Sequence, residues 1–242
     1  MTCSDTPRGT LYLIPNTLGD IPPALSLPPA VIETARQLDY FVVEHAKTAR
    51  RFLGQIQTLT PLQALTLSEL SEHTPASELP ALLQPLLDGR DAGLLSEAGC
   101  PGVADPGAEL VALAHRHGVR VVPLIGPSSI LLALMASGLN GQGFAFRGYL
   151  PVDEATRGKT ITELESESRR LRQTQIFIET PYRNQKLLAA LLSQCRPTTR
   201  LCVAADLTLP TEWIFSGTVR DWQKRPQPDL NKRPSLFLLY AA

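Results

Sequence analysis

The chain has 242 residues, 43% hydrophobic and 19% charged, with 23 basic and 23 acidic side chains and a formal net charge of zero. That composition excludes a disordered chain and gives ample core for one large domain or two small ones. It lacks the basic surplus usual in nucleic-acid binders, although a local basic face stays open. The four cysteines, Cys3, Cys100, Cys195 and Cys202, form neither a CxxC pair nor a Cys/His zinc pattern, so no metal is expected. Pro7 and Arg8 stand where the apolar core of a secretory signal would lie, and no apolar run reaches membrane-spanning length. A reduced cytoplasmic protein with no membrane partner is the expectation.

In chain order, residues 11–15 read as a strand, and Pro28-Pro29 opens a helix over residues 30–38, proline being suited to a first helical turn. Residues 40–43 form a second strand and residues 47–53 a helix. Ser77-Glu78 opens another helix that runs to Gly89, with Pro85 bending it. Residues 92–95 are a strand, Pro106 starts a helix that Gly118 caps, and residues 119–124 are the next strand. This alternation argues for a parallel sheet with helices on both faces.

Beyond Gly126 the rhythm changes. Residues 127–137 are almost continuously apolar, the pattern of a helix too buried to lie at a surface. Residues 144–150 read as a strand and residues 154–172 as a charged, exposed helix. Strand candidates follow at 175–178, 201–205, 212–215 and 236–240, with one clear helix, 184–192, among them. Consecutive strands point to a mixed or antiparallel sheet. The expected fold is therefore α/β in two lobes, residues 1–122 with a mostly parallel sheet and residues 123–242 with a mixed or antiparallel one, joined near residues 121–126.

Four loops at strand ends carry the candidate chemistry. Pro15-Asn16-Thr17-Leu18-Gly19-Asp20 reads equally as a solvated turn, and it contains neither GxGxxG nor GxxxxGK[ST]. Ser96-Glu97-Ala98-Gly99-Cys100-Pro101-Gly102, with Asp105-Pro106-Gly107 close behind, combines small residues that let a ligand approach the backbone with two carboxylates. Asp105 fits the pattern of a helix cap, with Pro106 in the first turn. Gly126-Pro127-Ser128-Ser129 places hydroxyls and free N–H groups at the start of an apolar helix, where simple capping is the alternative. Glu179-Thr180-Pro181-Tyr182-Arg183 ends a strand with an ion-pair candidate that is as readily structural as functional.

In order and wording these loops resemble the tetrapyrrole methylase superfamily of S-adenosylmethionine-dependent methyltransferases. Within it, they are most similar to the ribosomal RNA small subunit methyltransferase I family, which methylates a cytidine 2′-hydroxyl in 16S rRNA. The resemblance rests on Gly9-Thr10-Leu11-Tyr12-Leu13-Ile14-Pro15, Leu18-Gly19-Asp20, Leu95-Ser96-Glu97-Ala98-Gly99-Cys100-Pro101 with Asp105-Pro106-Gly107, Val122-Pro123-Leu124-Ile125-Gly126-Pro127, Gly148-Tyr149-Leu150-Pro151 and Glu179-Thr180-Pro181-Tyr182-Arg183. Departures lie in a shortened first loop, in Glu44-His45 where the family has Glu-Asp-Thr-Arg, in Glu72-His73 as the remnant of His-Glu-His-Asn, and in Cys100 in place of Thr.

The resemblance implies a homodimer with S-adenosylmethionine in a cleft between the lobes, a cofactor that carries no phosphate and needs no phosphate loop. Carried over by position, cofactor contacts fall on Leu18, Ala98, Gly99, Cys100, Val103, Ser128, Ser129, Thr180 and Ala205. Small-subunit rRNA, free or in a ribosomal subunit, is the implied partner. A ribose hydroxyl is a weak nucleophile, so an acceptor for its proton is sought among Glu97, Glu179 and His45, with Glu97 foremost. The Glu179–Arg183 pair would shape the acceptor side. Arg220, Lys224, Arg225, Lys232 and Arg233 form a basic stretch that suits RNA, or a solvated loop. A porphyrinoid-type small-molecule methylase and a non-catalytic S-adenosylmethionine-binding module are the alternatives.

Overall fold

Five strands of the first half, β1 (Thr10–Ile14), β2 (Tyr40–Val43), β3 (Thr66–Glu69), β4 (Ala92–Leu95) and β5 (Arg120–Pro123), assemble in the order β3-β2-β4-β1-β5, every neighbouring pair parallel. This is a computed structural model, which describes residues 7–242; Cys3 lies outside the described residues. Successive side chains on a strand point to opposite faces, and these strands are apolar on both. Tyr40, Val42, Ala92 and Leu94 pack against α3 (Leu79–Leu87) and α4 (Ala108–Arg116). Phe41, Val43, Ile14 and Leu95 pack against α1 (Pro29–Gln37) and α2 (Ala46–Ile56) on the other side. A parallel sheet covered on both faces follows from that double-sided burial.

The second half forms its own five-stranded sheet from β6 (Phe144–Tyr149), β7 (Thr174–Ile178), β8 (Arg200–Ala205), β9 (Trp213–Thr218) and β10 (Ser235–Tyr240), in the order β6-β7-β10-β8-β9. Only β6 and β7 are parallel; β10 runs antiparallel to both β7 and β8, and β9 antiparallel to β8. The mixed sheet buries Phe177, Val203 and Phe237 against α6 (Glu154–Leu171), α7 (Asn184–Gln194) and α8 (Val219–Gln223). Trp222 of α8 is buried there, its indole N–H donating to Leu201 O at 2.8 Å. Helix α5 (Ser129–Ser137) packs on β8, β9 and β10.

The chain divides between Ser128 and Ser129. The boundary expected at 122/123 would cut β5, which pairs with β1 and so belongs to the first unit. Other differences have equally local causes. Strand β3 was not expected, because Thr66 and Ser68 give this edge strand no apolar signature, and α8 is only five residues long. Helix α5 is not buried all round: Leu131 and Met135, four residues apart and hence on one face, are 50% and 78% exposed. Helix α6 is largely exposed but buries Glu165, which accepts from the Arg196 N–H at 2.7 Å and from the Thr199 hydroxyl. Cys195 and Cys202 are free thiols pushed up to about 12 by burial. Among the described residues no helix is long and apolar enough to cross a membrane, and no group of three His, Cys, Asp or Glu side chains is placed to hold a metal.

Candidate functional site

In a parallel α/β sheet, ligands gather beyond the carboxyl ends of the strands. Strands β1 and β4 are neighbours, so their following loops lie side by side, and Asn16 joins them. The Asn16 and Gly99 backbones exchange hydrogen bonds of 2.8 and 3.2 Å. The buried Asn16 side chain donates to Ser96 O at 3.3 Å and Glu97 O at 3.0 Å, while its Oδ1 accepts from the Thr17 N–H at 2.8 Å. An Asn that reads as a turn residue is thus the clasp of the site. Gly99 holds φ at 72°, in the left-handed region that favours glycine, with Leu18 against its open face.

The loop after β5 closes onto the same place. A Cβ on Gly126 would sit 2.2 Å from Pro15 Cγ, so only glycine permits that approach. Beyond it, Pro127 O accepts from the Cys100 thiol at 3.4 Å. The expected contacts Leu18, Ala98, Gly99 and Cys100 are therefore brought together, with Ser128 at the end of the converging β5 loop. Val103 stands farther along the β4 loop with its side chain 48% exposed.

Glu97 lines a cavity of about 220 Å³ with Asn16, Leu18, Thr48, Gln55 and Ala98; the Asp20–Arg51 ion pair borders it. Its Oε1 accepts from Thr48 Oγ1 at 2.9 Å and lies 3.1 Å from His45 Nδ1. The carboxylate remains 45% exposed, so it is oriented without being sealed in. Glu44 is raised above the ordinary carboxylate range by burial and then by the charge of Glu97.

Asp105 is corrected. It does not cap α4: Gly107, at φ 126°, stands at the cap position and no side chain closes the helix start. Ala104, a non-glycine residue at φ 62°, turns the chain immediately before Asp105. Burial, followed by repulsion from Glu44, raises the Asp105 carboxyl from its ordinary 3.8 to about 6. The Ser96 hydroxyl, buried without a hydrogen-bond partner of ordinary length, offsets only part of this. Asp105 lines a second cavity of about 370 Å³, where residues 70–79 meet the start of α4. Burial and Asp105 together also push the neighbouring Cys100 thiol up.

In the second unit, β10 lies between β7 and β8 and antiparallel to both, with Leu236 opposite Ile178 and Ser235 opposite Ala205. That register brings Glu179, Thr180 and Arg183 to the same sheet end as Ala205. The Glu179 side chain is 1% exposed; its Oε1 accepts from the Thr180 N–H at 2.6 Å and from Arg183 Nε and Nη2 at 3.0 and 2.7 Å. It is a buried clamp whose bonds all fall on one carboxylate oxygen. Ala205 is wholly buried in the core, which leaves its side chain no ligand to touch. The next residue, Asp206, turns left-handed at φ 52° and is paired with Arg233 at 2.7 Å. Ser129 opens α5. Of the basic stretch, Arg233 is spent on Asp206 and Arg225 lies 3.8 Å over the Phe215 ring, while Arg220, Lys224 and Lys232 are exposed.

The chain matches the family described as Tetrapyrrole (Corrin/Porphyrin) Methylases over residues 24–223. It is 30% identical over 231 residues to a "Ribosomal RNA small subunit methyltransferase I" of Xylella fastidiosa, covering 96% of this chain and 80% of that protein. It is 33% identical over 210 residues to the protein of the same name from Mesorhizobium japonicum, covering 87% and 67%. In fold it is similar to the crystal structure of the methyltransferase CobJ, with a TM-score of 0.63 at 19% identity over 97% of this chain and 95% of that one. The cobalt precorrin-4 methyltransferase CbiF gives a TM-score of 0.61 at 18% identity, covering 96% and 94%. With this fold, the family match and the relatives define an α/β enzyme of the methyltransferase class. The chain belongs to the tetrapyrrole methylase family.

Proposed function

We propose that this enzyme transfers a methyl group from S-adenosylmethionine to the 2′-hydroxyl of a cytidine in 16S rRNA. The observation that carries the reading is the convergence of the β1, β4 and β5 loops on small residues beside a cavity lined by Glu97. The relatives named for small-subunit rRNA methylation supply the acceptor class.

The residues present fit the cofactor. Gly99 and Gly126 let the β4 and β5 loops close against Leu18 and Pro15 beside the cavity that Leu18 and Ala98 line, and a donor without phosphate needs no phosphate loop. Leu18, Ala98, Gly99, Cys100, Val103 and Ser128 would hold it on the first unit, with Ser129, Thr180 and the backbone at Ala205 on the second. When bound, the cofactor supplies a methyl group already activated by a positively charged sulfur. What the chain must add is alignment and proton removal. Glu97, held by Thr48 and facing His45, takes the proton from the attacking hydroxyl. Glu179 and Arg183 act as a positioning clamp, since the buried Glu179 carboxylate holds both Arg183 and the Thr180 N–H. The outward apolar face of α5, with Leu131 and Met135, suits a second copy of the chain, and a homodimer acting on cytoplasmic ribosomal subunits completes the reading.

The test is incubation of tritium-labelled S-adenosylmethionine with small ribosomal subunits that lack the modification. Label recovered at a cytidine ribose is expected. Label in small molecules instead would favour a porphyrinoid-type acceptor, and cofactor binding by calorimetry without any transfer would favour a non-catalytic module; either overturns the reading.

A further inference from the structure

We propose that Tyr182, with Lys186 and Lys232, forms a platform on which an unpaired base of the RNA acceptor stacks. This inference rests on the rRNA reading above and says where on the second unit the strand is gripped.

The first observation is an exposed ring on a rigid mount. Tyr182 is 73% exposed, yet the turn that carries it is tied from several directions. The Arg183 N–H donates to Thr180 O at 2.8 Å, and the buried Glu179 carboxylate holds both Thr180 and Arg183 from beneath. A second loop is strapped alongside: the Lys232 N–H donates to Pro181 O at 3.2 Å, and Asn184 Nδ2 donates to Leu230 O at 3.3 Å and to Arg233 O at 2.7 Å. Gln185 continues the strap, its Oε1 accepting from the Leu230 N–H at 3.3 Å and its Nε2 donating to Gln227 Oε1 at 3.1 Å. Lys232 itself is locked in the left-handed region at φ 60°. A buried ion pair and a second loop thus fix a turn whose own aromatic side chain is directed into solvent. An aromatic ring presented in this way loses little further freedom when a flat partner lies on it.

Charge is the second observation. Lys186 lies four residues beyond Tyr182, and Lys232 is on the loop bonded to Pro181 O, while Arg183 and Arg233 are already paired with Glu179 and Asp206. Lys186 and Lys232 are exposed, and neither takes part in an ion pair among the described residues. The acid of that loop, Asp229, accepts from the Asn231 N–H at 3.0 Å. Two unpaired cations therefore stand beside the tyrosine in a chain whose net charge is zero. Unpaired bases stacked on aromatic rings, with cations along the backbone, are how single-stranded RNA is held.

The experiment measures methyl transfer to unmodified small ribosomal subunits as a function of subunit concentration. Tyr182→Ala is expected to raise the KM for subunits on the order of 10-fold, with the KM for S-adenosylmethionine and the thermal midpoint unchanged. Tyr182→Phe keeps the ring and is expected to behave as wild type. Lys232→Ala is expected to flatten the dependence of subunit KM on salt by about one ion's worth. An unchanged subunit KM in Tyr182→Ala overturns the platform, as does a change confined to the cofactor KM. Failure of the wild-type enzyme to label RNA at all would instead overturn the rRNA reading on which the platform rests.

Discussion

Glu97 just beyond β4 and Glu179 just beyond β7 hold matching places at the ends of their strands and meet opposite surroundings. Glu97 is half exposed, borders a cavity, and shares its neighbourhood with Glu44 and Asp105, both raised in part by neighbouring acids. Glu179 is sealed in and bonded through Oε1 to a backbone N–H and a guanidinium. Asp206 and Glu165 of the same unit are likewise buried and occupied. A buried acid bonded to the backbone and guanidinium of its own turn stabilises that turn. One that is left partly uncompensated beside a cavity is available for chemistry. On the function proposed above, proton transfer falls to the parallel-sheet unit and scaffolding to the mixed-sheet unit.

The contrast can be broken at several points. Glu179→Gln leaves Arg183 without its charge partner and is expected to destabilise the second unit by about 3 kcal/mol, read by urea unfolding. A loss below about 0.5 kcal/mol would show that the clamp is dispensable. Asn16→Ala removes two donors and an acceptor from the clasp between the β1 and β4 loops; a loss of about 2 kcal/mol is expected, together with weaker S-adenosylmethionine binding by calorimetry. The mirror-image mutation within the first unit is Asp105→Asn. Because Asp105 holds its proton up to about pH 6 in the folded chain against an ordinary value of 3.8, its contribution to stability is complete below pH 4. That contribution is lost as the pH rises through 6. Asp105→Asn should therefore stabilise the protein at pH 7, by about 1 kcal/mol after allowing for partial exposure, and change nothing at pH 4. Destabilisation at pH 7 would show Asp105 to be structurally required in its charged form.

The double-sided apolar runs at 40–43 and 92–95 made the parallel sheet legible, and the later succession of strands without helices made the mixed one so. Site loops were legible as motifs, because small residues after a buried strand leave a mark in composition. Their internal wiring was not. Asn16 looked like any turn Asn, since its value lies in reaching carbonyls 80 residues away. Asp105 matched a capping pattern, but Ala104 and Gly107 turn the backbone so that the helix begins later and the acid faces its neighbours. The exposed face of α5 left no trace because that helix is apolar on every side, and β3 left none because an edge strand needs no apolar alternation.

The division of labour between the two acids is tested most directly by the single-turnover rate of Glu97→Gln, saturated with S-adenosylmethionine and with unmodified small ribosomal subunits as acceptor. A fall of roughly 100- to 10,000-fold, with an unfolding free energy within about 0.5 kcal/mol of wild type, is the predicted result. Transfer at the wild-type rate would contradict the account.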